Sequence, residues 1–106
     1  MTDKEIDAKV EKAIQALRSG GAAKEVKRVW NEFKRENPDE DDEELMESNL
    51  YVLFDDDGDF LRWGVEHEQY FSGHSGPTAV IPISSALEWS DVKREIGEAL
   101  AQFFDE

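Results

Sequence analysis

The stretch that most constrains the fold is residues 49–68, NLYVLFDDDGDFLRWGVEHE, in which two apolar runs flank an acidic turn. Asp-Gly between β-branched and aromatic runs is the strongest short-range hairpin signal, because glycine adopts the positive φ that primed turns require. The stretch therefore predicts a β-hairpin with arms from Leu50 to Phe54 and from Phe60 to about His67. Its turn is formed by Asp55, Asp56, Asp57, Gly58 and Asp59.

Alternation along the second arm divides its side chains between two faces of the strand. Regular alternation places Leu61, Trp63 and Val65 on one face, and Phe60, Arg62, Gly64 and Glu66 on the other. Phe60 is therefore expected to be the most exposed aromatic residue, beside the aspartates of the turn. The pattern leaves open which face of the first arm is buried.

Two helices are predicted before the hairpin. Thr2 and Glu5 form a capping-box pattern, and apolar residues then recur at helical spacing, which predicts a helix over residues 3–18. Gly20 and Gly21 end that helix, and a second helix is expected over residues 22–36, before Pro38. One face of the second helix carries a row of basic residues: Lys24, Lys27, Arg28, Lys34 and Arg35. This row is a solvated face, a binding surface, or a means of neutralising the acidic segment that follows the helix.

A third strand and a last helix are predicted after the hairpin. Residues 78–84, TAVIPIS, are β-branched and apolar, and Pro82 favours an edge position because proline cannot donate to a ladder. Either Ser85 or Ser90 is a candidate start for the last helix, whose predicted buried residues are Val92, Ile96, Ala99, Leu100 and Phe103. The order predicts a single α+β domain over residues 1–106, with a three-stranded antiparallel meander and the helices packed on its apolar face.

The charge of the chain is large and unevenly distributed. The net charge is −14, and residues 1–35 contribute +3 while residues 36–106 contribute −17. A field of that sign repels nucleic acid and anionic membranes and accelerates encounter with a basic partner. The alternative is that the acidity only keeps a small protein soluble. The segment after Pro38 is either a patch for a basic partner or a solvated connector, and its acids include Glu40, Asp41, Asp42, Glu43 and Glu44.

No catalytic or metal motif is convincing. The chain has no cysteine, and no apolar run approaches the roughly 18 residues of a spanning helix, so a cytoplasmic protein without disulfides is expected. Asp55, Asp57, Asp59 and Glu66 match four ligand positions of an EF-hand loop, but Phe60 stands where that loop needs glycine. The sequence therefore predicts no metal site beyond weak Ca²⁺ or Mg²⁺ binding, no cofactor and no enzyme activity.

The histidines and tryptophans also have simpler explanations than chemistry. His67 and His74 match no spacing with a mechanism behind it, and surface or loop positions are expected for them. Trp30, Trp63 and Trp89 suit a hydrophobic core better than a platform for bases, because such a platform needs a positive groove. An exposed Phe60 among the turn aspartates would instead be an apolar anchor with an acidic collar, which suits protein recognition.

From about residue 49 onward the chain resembles some immunity proteins of bacterial polymorphic-toxin and contact-inhibition systems. The resemblance covers about half of the chain, and it is carried by the hairpin, by TAVIPIS (78–84) and by AlaLeuAlaGlnPhePhe (99–104). It implies a small acidic α+β protein that inhibits one cognate toxin, often a basic nuclease, without catalysis of its own. The predicted function is inhibition of a basic protein partner. The alternative is nucleic-acid mimicry, in which carboxylates imitate phosphates and capture DNA-binding or restriction proteins.

Overall fold

The structure, a computed structural model, describes residues 2–36, 49–66 and 76–104 of the 106-residue chain. It confirms the α+β class, with two N-terminal helices, three antiparallel strands and a C-terminal helix that contacts the sheet. The helices are α1 (Asp3–Ser19), α2 (Ala22–Glu36), α3 (Ile83–Ala86) and α4 (Trp89–Phe103), and the strands are β1 (Asn49–Phe54), β2 (Phe60–Glu66) and β3 (Thr78–Pro82).

The two N-terminal helices begin and end where the local signals predict. The Thr2 hydroxyl accepts the Glu5 N–H, and the Glu5 carboxylate accepts the Thr2 N–H, which completes the capping box. Gly21, at φ 79°, then reverses the chain into α2. The side of α1 that faces the rest of the protein is almost fully buried along its length, at Ile6, Val10, Ala13, Ile14 and Leu17.

The strand order differs from the predicted meander. The sheet has the order β2-β1-β3, so β1 is central, whereas a meander would place β2 there. Two properties explain the difference. The sequence of β1 is an almost continuous apolar run, which is typical of a strand buried on both faces. Eleven residues separate β2 from β3, more than the two to five of a tight hairpin loop, so β3 is free to pair beyond β1.

Both faces of β1 are buried, which answers the question that the alternation left open. Leu50, Val52 and Phe54 belong to the hydrophobic core that the helices share with the sheet. Tyr51 and Leu53 point to the opposite face and are also 0% exposed. The sheet therefore does not have one apolar and one solvated face at its centre, and β1 is the most completely buried element of the described chain.

The edge position predicted for Pro82 is confirmed. The β1–β3 register pairs Asn49 with Pro82 and Leu53 with Thr78, and within the described residues β3 pairs with β1 alone. The Phe54 N–H donates to the Pro77 carbonyl at 3.0 Å, which fixes the phase of the ladder. Backbone groups alternate in direction along a strand, so the nitrogen of Pro82 points away from β1 and the missing donor costs no hydrogen bond there.

The C-terminal helix differs from the prediction at its start and at the last residue of its buried stripe. The strand ends at Pro82, the short helix α3 follows, and α4 begins at Trp89 with Glu88 as its N-cap, so neither Ser85 nor Ser90 caps it. Val92, Ile96 and Leu100 are fully buried as predicted, and Ala99 packs partly buried against the core. Phe103, in contrast, is 45% exposed. Phe104 packs on the core in its place, with the Phe103 ring edge-on to it at 5.0 Å.

Gly97, inside α4, has room for a side chain. A methyl group built at Gly97 would meet only Val10 Cγ2, at 3.9 Å, which is an ordinary van der Waals distance. The three tryptophans do pack against the core, as predicted. Trp63 lies against Gly20, and the ring of Trp89 accepts a cation–π contact from Arg18 at 5.0 Å.

Candidate functional site

The acidic turn between β1 and β2 is a closed hydrogen-bonded loop. The Asp55 N–H donates to the Asp59 carbonyl, and the Gly58 N–H donates to the Asp55 carbonyl, both at 2.9 Å. Gly58 has a φ of 85°, a left-handed conformation that side chains with a Cβ rarely adopt. The Asp-Gly signal therefore identified the right residue for the reversal.

The carboxylate of Asp55 builds the turn from inside. Its Oδ1 atom accepts the backbone N–H groups of Asp57 and Asp59, each at 2.9 Å. An aspartate that binds the backbone two residues ahead forms an Asx turn, which holds the loop in one conformation. Asp55 is half-buried, and two donors from its own loop already occupy its Oδ1 atom.

Asp59 ties the turn to the first helix. Its carboxylate forms an ion pair with Lys9 of α1, which lies fifty positions earlier in the chain. The hydrogen bond from Lys9 lowers the pKa of the Asp59 carboxyl and raises the pKa of the Lys9 ammonium. The aspartates at 55 and 57 further favour the charged form of Lys9. Local hydrogen bonds and this ion pair thus hold both ends of the turn.

Asp56 and Asp57 form the tip of the turn, and both are exposed. The backbone N–H of Asp57 donates to the Asp55 carboxylate. Within the described residues, neither the Asp56 nor the Asp57 carboxylate forms a salt bridge. The four turn aspartates therefore divide into two pairs with different roles. Asp55 and Asp59 hold the loop, and Asp56 and Asp57 present negative charge to solvent.

The expectation that Phe60 is the exposed aromatic is wrong. Phe60 is half-buried, packs against the core and meets the ring of Phe54 edge-on at 6.4 Å. The cause is a β-bulge: Phe54 pairs with Phe60 while Leu53 pairs with Arg62, so Leu61 is the extra residue. A one-residue shift moves side chains to the opposite face. Phe60 therefore joins Trp63 and Val65 on the helix side, and Leu61 is 52% exposed.

Leu61 is the residue of this site that the sequence pattern missed. It follows the turn by two positions, so an exposed apolar side chain lies close in sequence to the exposed tip aspartates. The available signal was the five-residue turn itself, because hairpin loops longer than two residues are commonly accompanied by a bulge. A prediction from strict two-residue alternation allows for no extra residue, so it assigns Leu61 to the wrong face of the strand.

Other predicted site residues lie outside the described part of the chain. These are the acidic residues Glu40, Asp41, Asp42, Glu43 and Glu44, and the same holds for His67 and His74. Within the described residues, no group of three or more acidic or histidine side chains is placed to hold a metal ion.

The basic row of α2 is partly paired within its own helix. Arg28 bonds Glu25, and its Nη1 atom lies 3.0 Å from Glu32, so the pKa of Glu25 is lowered and that of Arg28 is raised by their hydrogen bond. Lys34 lies over the ring of Trp30 at 5.2 Å. Exposed pairs of this kind contribute little to stability, and they reduce the charge that the row offers to a partner.

Comparison with protein-family models, with curated proteins and with solved structures finds no match to this chain. Among the described residues, no helix combines the length and the apolar character needed to cross a membrane.

Proposed function

We propose that this chain is a non-enzymatic, cytoplasmic inhibitor that binds a basic protein, and that its partner is a toxin domain. The observation that supports this function best is the geometry of the acidic turn. Asp56 and Asp57 are exposed on a loop whose conformation is set by the Asp55 carboxylate, by Gly58 and by the Lys9–Asp59 ion pair. The bulge leaves an apolar residue, Leu61, exposed two positions after the turn.

Preorganisation is the physical reason that such a turn suits binding. A flexible loop loses conformational freedom when it binds, which lowers affinity, whereas a loop already fixed in the free protein avoids most of that cost. The carboxylates of the tip would steer a basic partner during encounter. Leu61 would be desolvated at the centre of the contact, where apolar anchors contribute most.

The proposed contact surface consequently differs from the set predicted from sequence alone. Asp56, Asp57 and Leu61 would touch the partner, while Asp55 and Asp59 position the turn. Phe60 would support the turn from the core side. The acidic segment with Glu40, Asp41, Asp42, Glu43 and Glu44 would add further negative charge, because it belongs to the same part of the chain, residues 36–106, whose net charge is −17.

The test begins with affinity capture from the source lysate at low and high salt, followed by purification of a retained basic protein. The association rate with that protein should fall steeply between the two salt concentrations. The double variant Asp56→Lys/Asp57→Lys should slow association at low salt. The matched control Glu88→Lys/Glu98→Lys changes net charge by the same amount at two exposed positions, the N-cap residue of α4 and a residue within that helix, and should leave most of the rate intact.

The outcomes separate the functional classes. Equal association rates at low and high salt, or equal effects of the two double variants, would contradict inhibition through the acidic turn. A retained set of DNA-binding proteins that generic duplex DNA displaces would indicate nucleic-acid mimicry. A single basic protein that DNA does not displace, and whose activity is lost in the complex, is the expected result.

A further inference from the structure

The outer edge of β3 has a defined set of hydrogen-bonding groups. Since Phe54 bonds Pro77, the residues of β3 that bond β1 are Ala79 and Ile81. The N–H and C=O groups of Thr78 and Val80 therefore point away from β1. The carbonyl of Pro82 also points away from β1, but proline has no N–H to donate. Within the described residues no strand pairs with that edge.

An open groove lies beside the same edge. It has a volume of about 280 Å³ and is lined by residues that lead into β3 and by the last turns of α4: Gly76, Pro77, Thr78, Ala99, Gln102 and Phe103. Phe103 is 45% exposed and Val80, on β3 itself, is 40% exposed. Two large apolar side chains and two outward N–H donors thus occur at one edge of the sheet.

The charge around the groove favours a basic occupant over a second copy of the chain. Asp91, Glu95 and Ala99 are spaced four residues apart, so they lie in one row along α4. Ala99 lines the groove, and the two carboxylates precede it in that row. Arg94 forms ion pairs with both acids, at 3.2 and 3.5 Å, and leaves the row with one net negative charge. A second copy would bring another −14 against this surface.

We infer that the outer edge of β3 is a second contact surface, on which an extended, basic segment of the protein partner adds as a fourth strand. The main chain of that segment would bond the outward groups of Thr78 and Val80, and one apolar side chain would enter the groove against Phe103. Lysine or arginine residues would lie near Asp91 and Glu95. The inference rests on the proposed function for the identity of the partner, but its geometry is independent of the acidic turn.

The first test uses the free protein alone. Amide hydrogen exchange followed by NMR should show slow exchange at Ala79 and Ile81, which bond β1, and exchange at least about tenfold faster at Thr78 and Val80. Protection of Thr78 and Val80 equal to that of their neighbours would mean that the edge is already covered, and it would overturn the inference.

The second test uses a phage-displayed library of random peptides long enough to span β3. Selected peptides should alternate apolar with basic residues, and their binding should slow exchange at Thr78 and Val80. The variant Val80→Pro removes one outward N–H at a position whose backbone points away from β1, as that of Pro82 does. It should weaken binding about two- to twelvefold, the loss expected for one ordinary hydrogen bond. The control Val80→Thr keeps that donor and should bind as the parent does.

A further variant guards against a folding defect of Val80→Pro. Phe103→Ser removes the apolar wall of the groove without altering the strand and should also weaken the selected peptides, whereas Ala101→Ser, at an exposed position of the same helix, should not. Failure to select any peptide, or equal binding to Phe103→Ser and the parent, would refute the edge site. If charge reversal at Asp56 and Asp57 still slowed partner association in that case, the proposed function would stand and only the edge site would fall.

Discussion

Replacing Asp55 with alanine should destabilise the protein, although the side chain is at the surface end of a hairpin. Asp55 Oδ1 accepts two backbone N–H groups at 2.9 Å, and alanine offers no acceptor for either. Because Asp55 is only half-buried, each of these hydrogen bonds should contribute about 0.5–1.5 kcal/mol net, the range of a typical intramolecular hydrogen bond, and the loss of two should lower the free energy of unfolding by about 1–3 kcal/mol.

The magnitude translates into a measurable change of melting temperature. Unfolding entropy is about 2.1 cal/mol/K per residue, so for this chain of 106 residues each kcal/mol lowers Tm by about 4.5 °C. Asp55→Ala should therefore melt about 4–13 °C below the parent in a circular dichroism scan, and urea titration should give the same loss with an unchanged m value.

The matched variants make the reasoning refutable. Asp55→Asn keeps an oxygen in the Oδ1 position and should retain most of the stability. Asp56→Asn and Asp57→Asn alter exposed carboxylates and should shift stability by no more than about 0.5 kcal/mol. A melting temperature of Asp55→Ala equal to that of the parent, or a loss at Asp56→Asn as large as that at Asp55→Ala, would show that Asp55 does not hold the turn.

Four further changes test the packing and the electrostatics, each by urea titration monitored by circular dichroism. Ile96→Ala empties a fully buried site and should cost about 2–5 kcal/mol; a loss below 1 kcal/mol would contradict the burial. Gly58→Ala forces a side chain to φ 85° and should cost about 1–2 kcal/mol, whereas Gly97→Ala, with Val10 3.9 Å away, should gain up to about 1 kcal/mol. Lys9→Met should destabilise the protein near neutral pH, and this loss of stability should shrink as acid protonates Asp59. The reason is that a carboxyl whose pKa is lowered in the folded state contributes stability above its ordinary pKa and loses that contribution as the pH falls through the folded pKa. A loss of stability that stays constant into acid would refute the Lys9–Asp59 ion pair.

The elements that sequence predicted well are those set by neighbours in the chain. The Thr2 capping box, the reversal at Gly21 and the turn at Gly58 each depend on groups within five residues of one another. Local chemistry of this kind is visible in a sequence because the interacting groups are adjacent in it.

What sequence reasoning missed depends on tertiary packing. Strand order follows from which strand is buried on both faces, and β1 shows this in its apolar run, but the short-connection rule favoured a meander instead. Phe60 and Leu61 lie on the faces opposite to those predicted, because the bulge inserts one extra residue and shifts the alternation of side chains by one position there. The four aspartates looked equivalent in sequence, and only the pairing of Asp59 with Lys9, fifty residues away, separates their roles.

The central position of β1 has a consequence for the order in which the sheet assembles. The β1–β2 pair begins with Phe54 opposite Phe60, six positions apart, whereas the nearest pair of the β1–β3 register is Leu53 opposite Thr78, twenty-five positions apart. Closing the longer loop costs about 1.3 kcal/mol more by chain entropy alone. We therefore expect the hairpin to form in the folding transition state and β3 to dock after it. Destabilising changes in β1 or β2 should slow folding, while those in β3 should mainly speed unfolding.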